Sequence, residues 1–356
     1  MDVSRFCRQS PVMLIAGKGG VGKTTIAAAL ALTAARAGLS VLVVDLEGKS
    51  GLAGAFGVQG NRYGTLGYDE EVLLEATDAR GQPGGAHQGE IRARRITPDD
   101  ALIEYLADHG MRRVSKRLVS SGAVDIVATA IPGIRDILVL GKVKQLERSG
   151  AADLIVVDAP ATGHAMTFLS SAHGLLDAAR SGPVRAQAAE VVEMLTDPTR
   201  SQVMLVTLPE EMPVNEVIES AYQLEDRIGV SLAPVVVNSC IPEIPGLDCD
   251  PLAAAGEVGV ELEEGTALAL RSAADFRLRR RALQIEQLER LSQELPLPQI
   301  AIPLVSSETI SLPDIAVLAS ALATGVKKLP EDGSASTGST PASNREGTAE
   351  GGPPDA

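Results

Sequence analysis

Nine residues near the amino terminus, Gly17–Thr25, read G-K-G-G-V-G-K-T-T. They fit the pattern G-x-x-x-x-G-K-[ST], which suits one task, holding phosphate. Gly17, Gly19, Gly20 and Gly22 permit the positive φ values that turn successive backbone N–H groups inward as an anion cradle. The amides of Gly19, Gly20, Val21, Gly22, Lys23, Thr24 and Thr25 supply that cradle, and a following helix adds its positive end. Lys23 is placed to reach the β- and γ-phosphates, and Thr24 to offer its hydroxyl to Mg²⁺. A second candidate lies far along the chain: Asp158 ends the apolar run V-V-D and precedes A-P-A-T-G-H. An acid at the tip of a buried strand beside a phosphate loop is placed to hold Mg²⁺, directly or through water. Thr162 and Gly163, just beyond it, are placed to sense a γ-phosphate.

These residues need strands and helices to position them. Val12–Ala16 is apolar throughout and leads into the loop; Thr24–Ala37 reads as the helix after it, with Gly38 as its stop. Val41–Asp45 and Leu154–Asp158 are further apolar runs, each ending in an acid. Runs that are apolar at every position suit parallel strands buried on both faces. Further strands are expected at Val72–Ala76, Ile91–Ile96, Gln202–Leu208, Pro234–Asn238 and Ile300–Val305. Helices are expected at Asp99–His109, Met111–Ser121, Ile134–Arg148, Thr162–Arg180, Val184–Leu195, Asn215–Ile228, Ala267–Leu295 and Leu312–Ala323. Gly48–Gly60 and Pro242–Gly259 read as loops, and residues 1–10 as a polar lead-in. Strands alternate with helices, so the expected fold class is α/β, a mostly parallel sheet with right-handed crossovers. One domain spans 1–327, with a helical insertion at about 99–148. Residues 328–356, rich in Gly, Ser, Thr, Pro and Glu, read as a disordered tail.

Composition narrows the partners. The 356 residues carry a formal net charge of −14, a poor match for nucleic acid over the whole surface. Three cysteines, Cys7, Cys240 and Cys249, form no disulfide framework, which fits a reducing cytosol. No apolar run approaches the roughly 20 residues of a transmembrane helix. The first residues, with Asp2, Arg5 and Arg8, lack a signal-peptide core. The expected location is cytoplasmic, with peripheral attachment to a membrane only through a partner.

The segment D-A-P-A-T-G-H-A-M-T-F-L from Asp158 is similar to the corresponding segment of the arsenite-pump ATPase and Get3 tail-anchor targeting family. The loop at Gly17–Thr25, Pro132-Gly133-Ile134, the stretch Val206–Glu210 with Glu216, V-V-V-N ending at Asn238, and the basic helix around Arg279–Arg281 resemble the same family. The likeness covers roughly residues 12–325. It implies a P-loop ATPase that uses ATP and Mg²⁺. Lys18 is the second lysine of what are called deviant Walker A loops. In that group it reaches across a dimer interface to the partner's nucleotide, so the resemblance implies a face-to-face dimer, a homodimer or a heterodimer with a related ATPase subunit. By the same likeness Asn238 hydrogen-bonds the adenine, and Asp45 begins the first switch.

The departures from the family pattern bear on activity. Leu46-Glu47-Gly48-Lys49 replaces the family's P-A-H-N, and Gly54 stands where its water-orienting Asp is expected. Glu47 is the nearest substitute for that carboxylate; it reads equally as a solvated loop acid. The zinc-binding Cys-x-x-Cys and the arsenite-binding cysteines are missing, and no Met-rich groove for a membrane-protein client is evident. The expected function is an ATP-hydrolysing dimeric switch with an unidentified client protein or membrane component. One alternative is a nucleotide-binding but catalytically weak subunit of a heteromeric ATPase. Another is a partitioning-type ATPase, which the acidic charge and polar tail oppose. An iron–sulfur reductase of the nitrogenase iron-protein type is set aside, because neither switch contains cysteine.

Overall fold

A computed structural model describes residues 1–46, 51–58, 66, 69–76, 88–108 and 133–330, with the side chains of 161–164 left out. Glu47, the expected helix Met111–Ser121, Pro132 and the expected disordered tail from 331 lie outside the described residues.

The strands are β1 (Val12–Gly17), β2 (Val41–Asp45), β3 (Glu71–Leu74), β4 (Ile91–Arg95), β5 (Leu154–Ala161), β6 (Ser201–Thr207), β7 (Val235–Cys240) and β8 (Gln299–Pro303). They form one sheet in the order β3-β4-β2-β5-β1-β6-β7-β8. Every pairing is parallel except β3 with β4 at one edge. The central strand β1 is buried at all six positions. Its alternate residues serve two cores: Met13 and Ile15 join one, and Val12, Leu14 and Ala16 the other. This is the pattern expected of a strand covered by helices on both faces.

On the first face lie α1 (Val3–Cys7), α2 (Lys23–Arg36) and α11 (Leu312–Lys328). Ala and Leu dominate α2, and Ile26–Ala35 is buried without a break. Small side chains let α2 sit between the sheet and α11. On the other face lie α4 (Pro98–Asp108), α5 (Ile134–Arg148), α6 (Thr162–Ala178), α7 (Pro183–Thr196) and α8 (Glu211–Gln223). A short α3 (Gly51–Ala55), α9 (Pro251–Glu257) and the long α10 (Glu264–Glu294) complete the described set.

Several expectations shift. The lead-in contains α1, capped by Asp2, whose carboxylate accepts from the Arg5 amide at 3.0 Å. The glycine-rich stretch after β2 contains α3, and the expected loop Pro242–Gly259 contains α9, started by the Asp250 cap and a proline in its first turn. The helix expected at Asn215–Ile228 starts earlier, at Glu211, and finishes in a π-turn over Leu224–Ile228. The last helix runs to Lys328, because Ile315, Leu318, Leu322 and Val326 keep one apolar face against the sheet. It therefore crosses the boundary expected at 327. Among the described residues no helix is long and apolar enough to cross a membrane.

Candidate functional site

The loop between β1 and α2 stands at the carboxyl end of the central strand, flanked by β5 and β6. Gly17 must be glycine because a Cβ there would run into the Val206 carbonyl of β6. Gly22 has φ +90°, and a Cβ would meet the Asn238 amide nitrogen. Gly20, at φ +89°, likewise sits where L side chains rarely go. The amino end of α2 has no side-chain cap, so its first amides are left to the loop. Lys23 lies back across the loop, its Nζ donating to the Lys18 carbonyl at 3.4 Å.

Strand register brings the acids to the loop. Ile15 of β1 is aligned with Asp158, and Asp158 with Asp45 of β2. The two carboxylates thus sit on adjacent strands, Asp45 4% and Asp158 8% exposed. Neighbouring parallel strands are about 4.8 Å apart, so like charges here call for cations nearby. The Thr24 hydroxyl donates to Asp158 Oδ2 at 2.5 Å. A threonine oxygen and a carboxylate oxygen in contact are hard donors of the kind Mg²⁺ takes while keeping phosphate and water in its other positions. The glycine cradle and this oxygen pair fit a magnesium–nucleotide complex.

Two further candidate residues make contacts within the chain. Lys18 Nζ contacts Glu216 Oε1 of α8 in its own chain at 2.5 Å. Asn238 is buried; its Nδ2 donates to the Val21 carbonyl at 2.9 Å, and its Oδ1 accepts from the Ser239 amide at 2.9 Å. Ser239 has φ +60°, a conformation uncommon outside glycine, so the end of β7 is held in a bend that presses the Asn238 amide onto the loop. Candidate residues Lys18, Lys23, Thr24, Asp45, Asp158 and Asn238 therefore gather around one loop. Glu216 joins them from 198 positions away from Lys18. Gly54 lies in α3, where an added Cβ would meet nothing within 4 Å.

A doubly covered parallel sheet with a glycine-rich loop leading from its central strand into a helix defines a P-loop NTPase. Residues 10–180 and 177–261 match the model of the anion-transporting ATPase family. The chain belongs to that family, which includes the arsenite-pump and Get3 ATPases. It is 38% identical over 264 residues to the ATPase BagA of Mycobacterium tuberculosis, covering 70% of each chain. It is 24% identical over 274 residues to the ATPase get3 of Neurospora crassa, covering 67% of this chain and 75% of that one. A third relative, the ATPase get3 of Schizosaccharomyces japonicus, is 28% identical over 158 residues, 44% of this chain and 43% of its own.

Proposed function

We propose that this chain binds ATP with Mg²⁺, hydrolyses it, and uses the cycle to close and open a dimer. The observation that carries this reading is the Thr24–Asp158 contact at the mouth of the glycine cradle. In the proposed cycle the loop amides hold the phosphates, and Lys23 leaves the Lys18 carbonyl to pair with the β- and γ-phosphates. Thr24 and Asp158 hold the metal. Bound there, Mg²⁺ offsets the charge that develops on the phosphates during transfer. Asp45, aligned with Asp158, couples that charge to the segment after β2. Lys18 exchanges Glu216 for the nucleotide of a partner subunit, which links nucleotide state to closure. Asn238 holds the loop through Val21; contact with adenine is a second duty we propose for it.

The attacking water needs an acceptor or an orienting carboxylate. Gly54 offers none, so Glu47 or a partner's carboxylate takes that role. The position of Gly54 also favours a second reading: a nucleotide-binding subunit that turns over slowly until a related ATPase subunit joins it. The name ATPase shared by the relatives above supports hydrolysis in this lineage. The test is ATP turnover by the purified chain, with calorimetric titration of ATP in the presence and absence of Mg²⁺. Magnesium-dependent binding that Lys23→Ala weakens on the order of 10–100-fold is expected. Equal binding by parent and variant would overturn the assignment of the site. Brisk turnover by the chain alone that survives Glu47→Ala would remove the need for a supplied carboxylate.

A further inference from the structure

Away from the loop, α4, α5 and α7 line an open hollow of about 320 Å³. That is the lower end of the ~300–1,000 Å³ range of small-molecule pockets. Its wall mixes apolar side chains, among them Ala101, Tyr105 and Leu138, with a cluster of charged ones. Lys142, Lys144 and Arg148 of α5 face Glu104 of α4 and Glu190 of α7. The chain as a whole carries −14, so a cation-rich hollow is out of keeping with its surface.

The cations are held but not saturated. Lys144, its side chain 7% exposed, donates to Glu190 Oε2 at 2.6 Å and Gln187 Oε1 at 3.1 Å. Glu190 also takes Arg148 at 2.8 Å, so one carboxylate serves two cations. Lys142, 12% exposed, pairs with Glu104 and donates to Gln145 at 3.0 Å. Glu104 in turn faces Arg94 at 3.8 Å. An ammonium carries three N–H donors, so each lysine has a third beyond the acceptors it meets here among the described residues. Burying a cation costs several kcal/mol unless its charge is answered, and among the described residues lining the hollow three cations face two carboxylates. Gln187 lies close over Gly141: a Cβ there would meet its amide and make that side chain shift.

From this geometry we infer a binding site for a small multivalent oxyanion, a polycarboxylate or a phosphate-bearing metabolite. It sits apart from the nucleotide loop and is independent of it. The anion completes the bonding of Lys142 and Lys144 and meets the Arg148 guanidinium. The two carboxylates and two glutamines set orientation by accepting from its hydroxyls.

The experiment titrates citrate and, separately, inorganic phosphate into the full-length chain without nucleotide, by calorimetry and thermal shift. Two variants are compared with the parent. Lys23→Ala removes the phosphate-loop lysine. The double variant Glu104→Gln with Lys142→Gln removes one ammonium together with its carboxylate, and Arg94, which loses Glu104, keeps Glu70 at 3.9 Å. At least one anion is expected to bind the parent and Lys23→Ala equally, and the double variant at least tenfold more weakly, with its ATP binding unchanged. A response to citrate alone or phosphate alone selects between the two ligand sources. Gly141→Ala, which makes Gln187 shift, is expected to weaken binding in the same direction. Absence of heat and thermal shift with both anions overturns the site. So does binding lost in Lys23→Ala and retained in the double variant, which assigns the anion to the phosphate loop.

Discussion

Lys18 and Lys23 carry the same charge within one loop, and their surroundings give them different work. Lys23 is folded onto the loop's own carbonyl, already lying along the cradle. Charge-assisted hydrogen bonds contribute about 1.5–3 kcal/mol each, so Lys23→Ala is expected to lower ATP affinity on the order of 10–100-fold in titration calorimetry. Lys18 is tethered to Glu216, both side chains about one-third or more exposed, and an exposed pair contributes at most about 1 kcal/mol. Glu216→Gln should therefore leave the melting temperature nearly unchanged while freeing Lys18 to act on a partner. Size-exclusion chromatography with light scattering is expected to show ATP-dependent dimerisation kept or strengthened in Glu216→Gln and lost in Lys18→Ala. The three cysteines also separate at this scale. Burial pushes the Cys7 thiol up to about 12 and Cys240 up to about 11, whereas Cys249 is exposed. Thiol alkylation at pH 8 followed by mass spectrometry is expected to modify Cys249 first, Cys240 slowly, and Cys7 only on unfolding.

Among the elements, α11 is set by its N-cap: the Ser311 hydroxyl and amide both donate to the Asp314 carboxylate, at 2.6 and 2.9 Å. Replacing such a cap costs about 1 kcal/mol. Ser311→Ala is expected to lower the midpoint of denaturant unfolding by that amount without changing ATP binding. The strands β1, β2 and β5 were legible because each contains an unbroken apolar run, which in β2 and β5 leads into an acid. The phosphate loop was legible because its spacing is itself the chemistry. Helix α9 was hidden for the opposite reason: none of its residues is buried, so no apolar periodicity marks it, although Asp250-Pro251 carries a start signal. In α3 the letters G-L-A-G-A suggest a loop, and the helix rests on Leu52, Ala53 and Ala55 reaching the core. The Lys18–Glu216 contact and the charged hollow join residues from separate elements. No local spacing announces them; only the fold does.

Across the whole molecule, the helical layer carrying α5 and α7 is tied by ions as well as by its core. The Lys144 ammonium, donating a hydrogen bond, holds the Glu190 carboxyl below the ordinary carboxylate range, with Arg148 adding to the effect. A carboxylate whose folded pKa is lowered contributes stability that is present above its unfolded pKa. That contribution is lost as pH falls through the lower folded value. Thermal melts from pH 7 down to pH 3 are expected to fall less steeply on the acid side for Glu190→Gln than for the parent. The variant is also less stable at pH 7, because Lys144 then lacks its carboxylate. Partial exposure of Glu190 keeps the difference small, and added salt should shrink it further.

The unbroken burial of Ile26–Ala35 in α2 has a mechanical consequence. A rod wedged between the sheet and a neighbouring helix cannot swing when the phosphates in front of it change. Whatever news hydrolysis sends must travel outward through the ends of β2 and β5, leaving the rod as a stationary anvil. Hydrogen–deuterium exchange should then find its amides among the slowest in the molecule, with or without nucleotide, while the segments following Asp45 and Asp158 change their exchange rates between the two states.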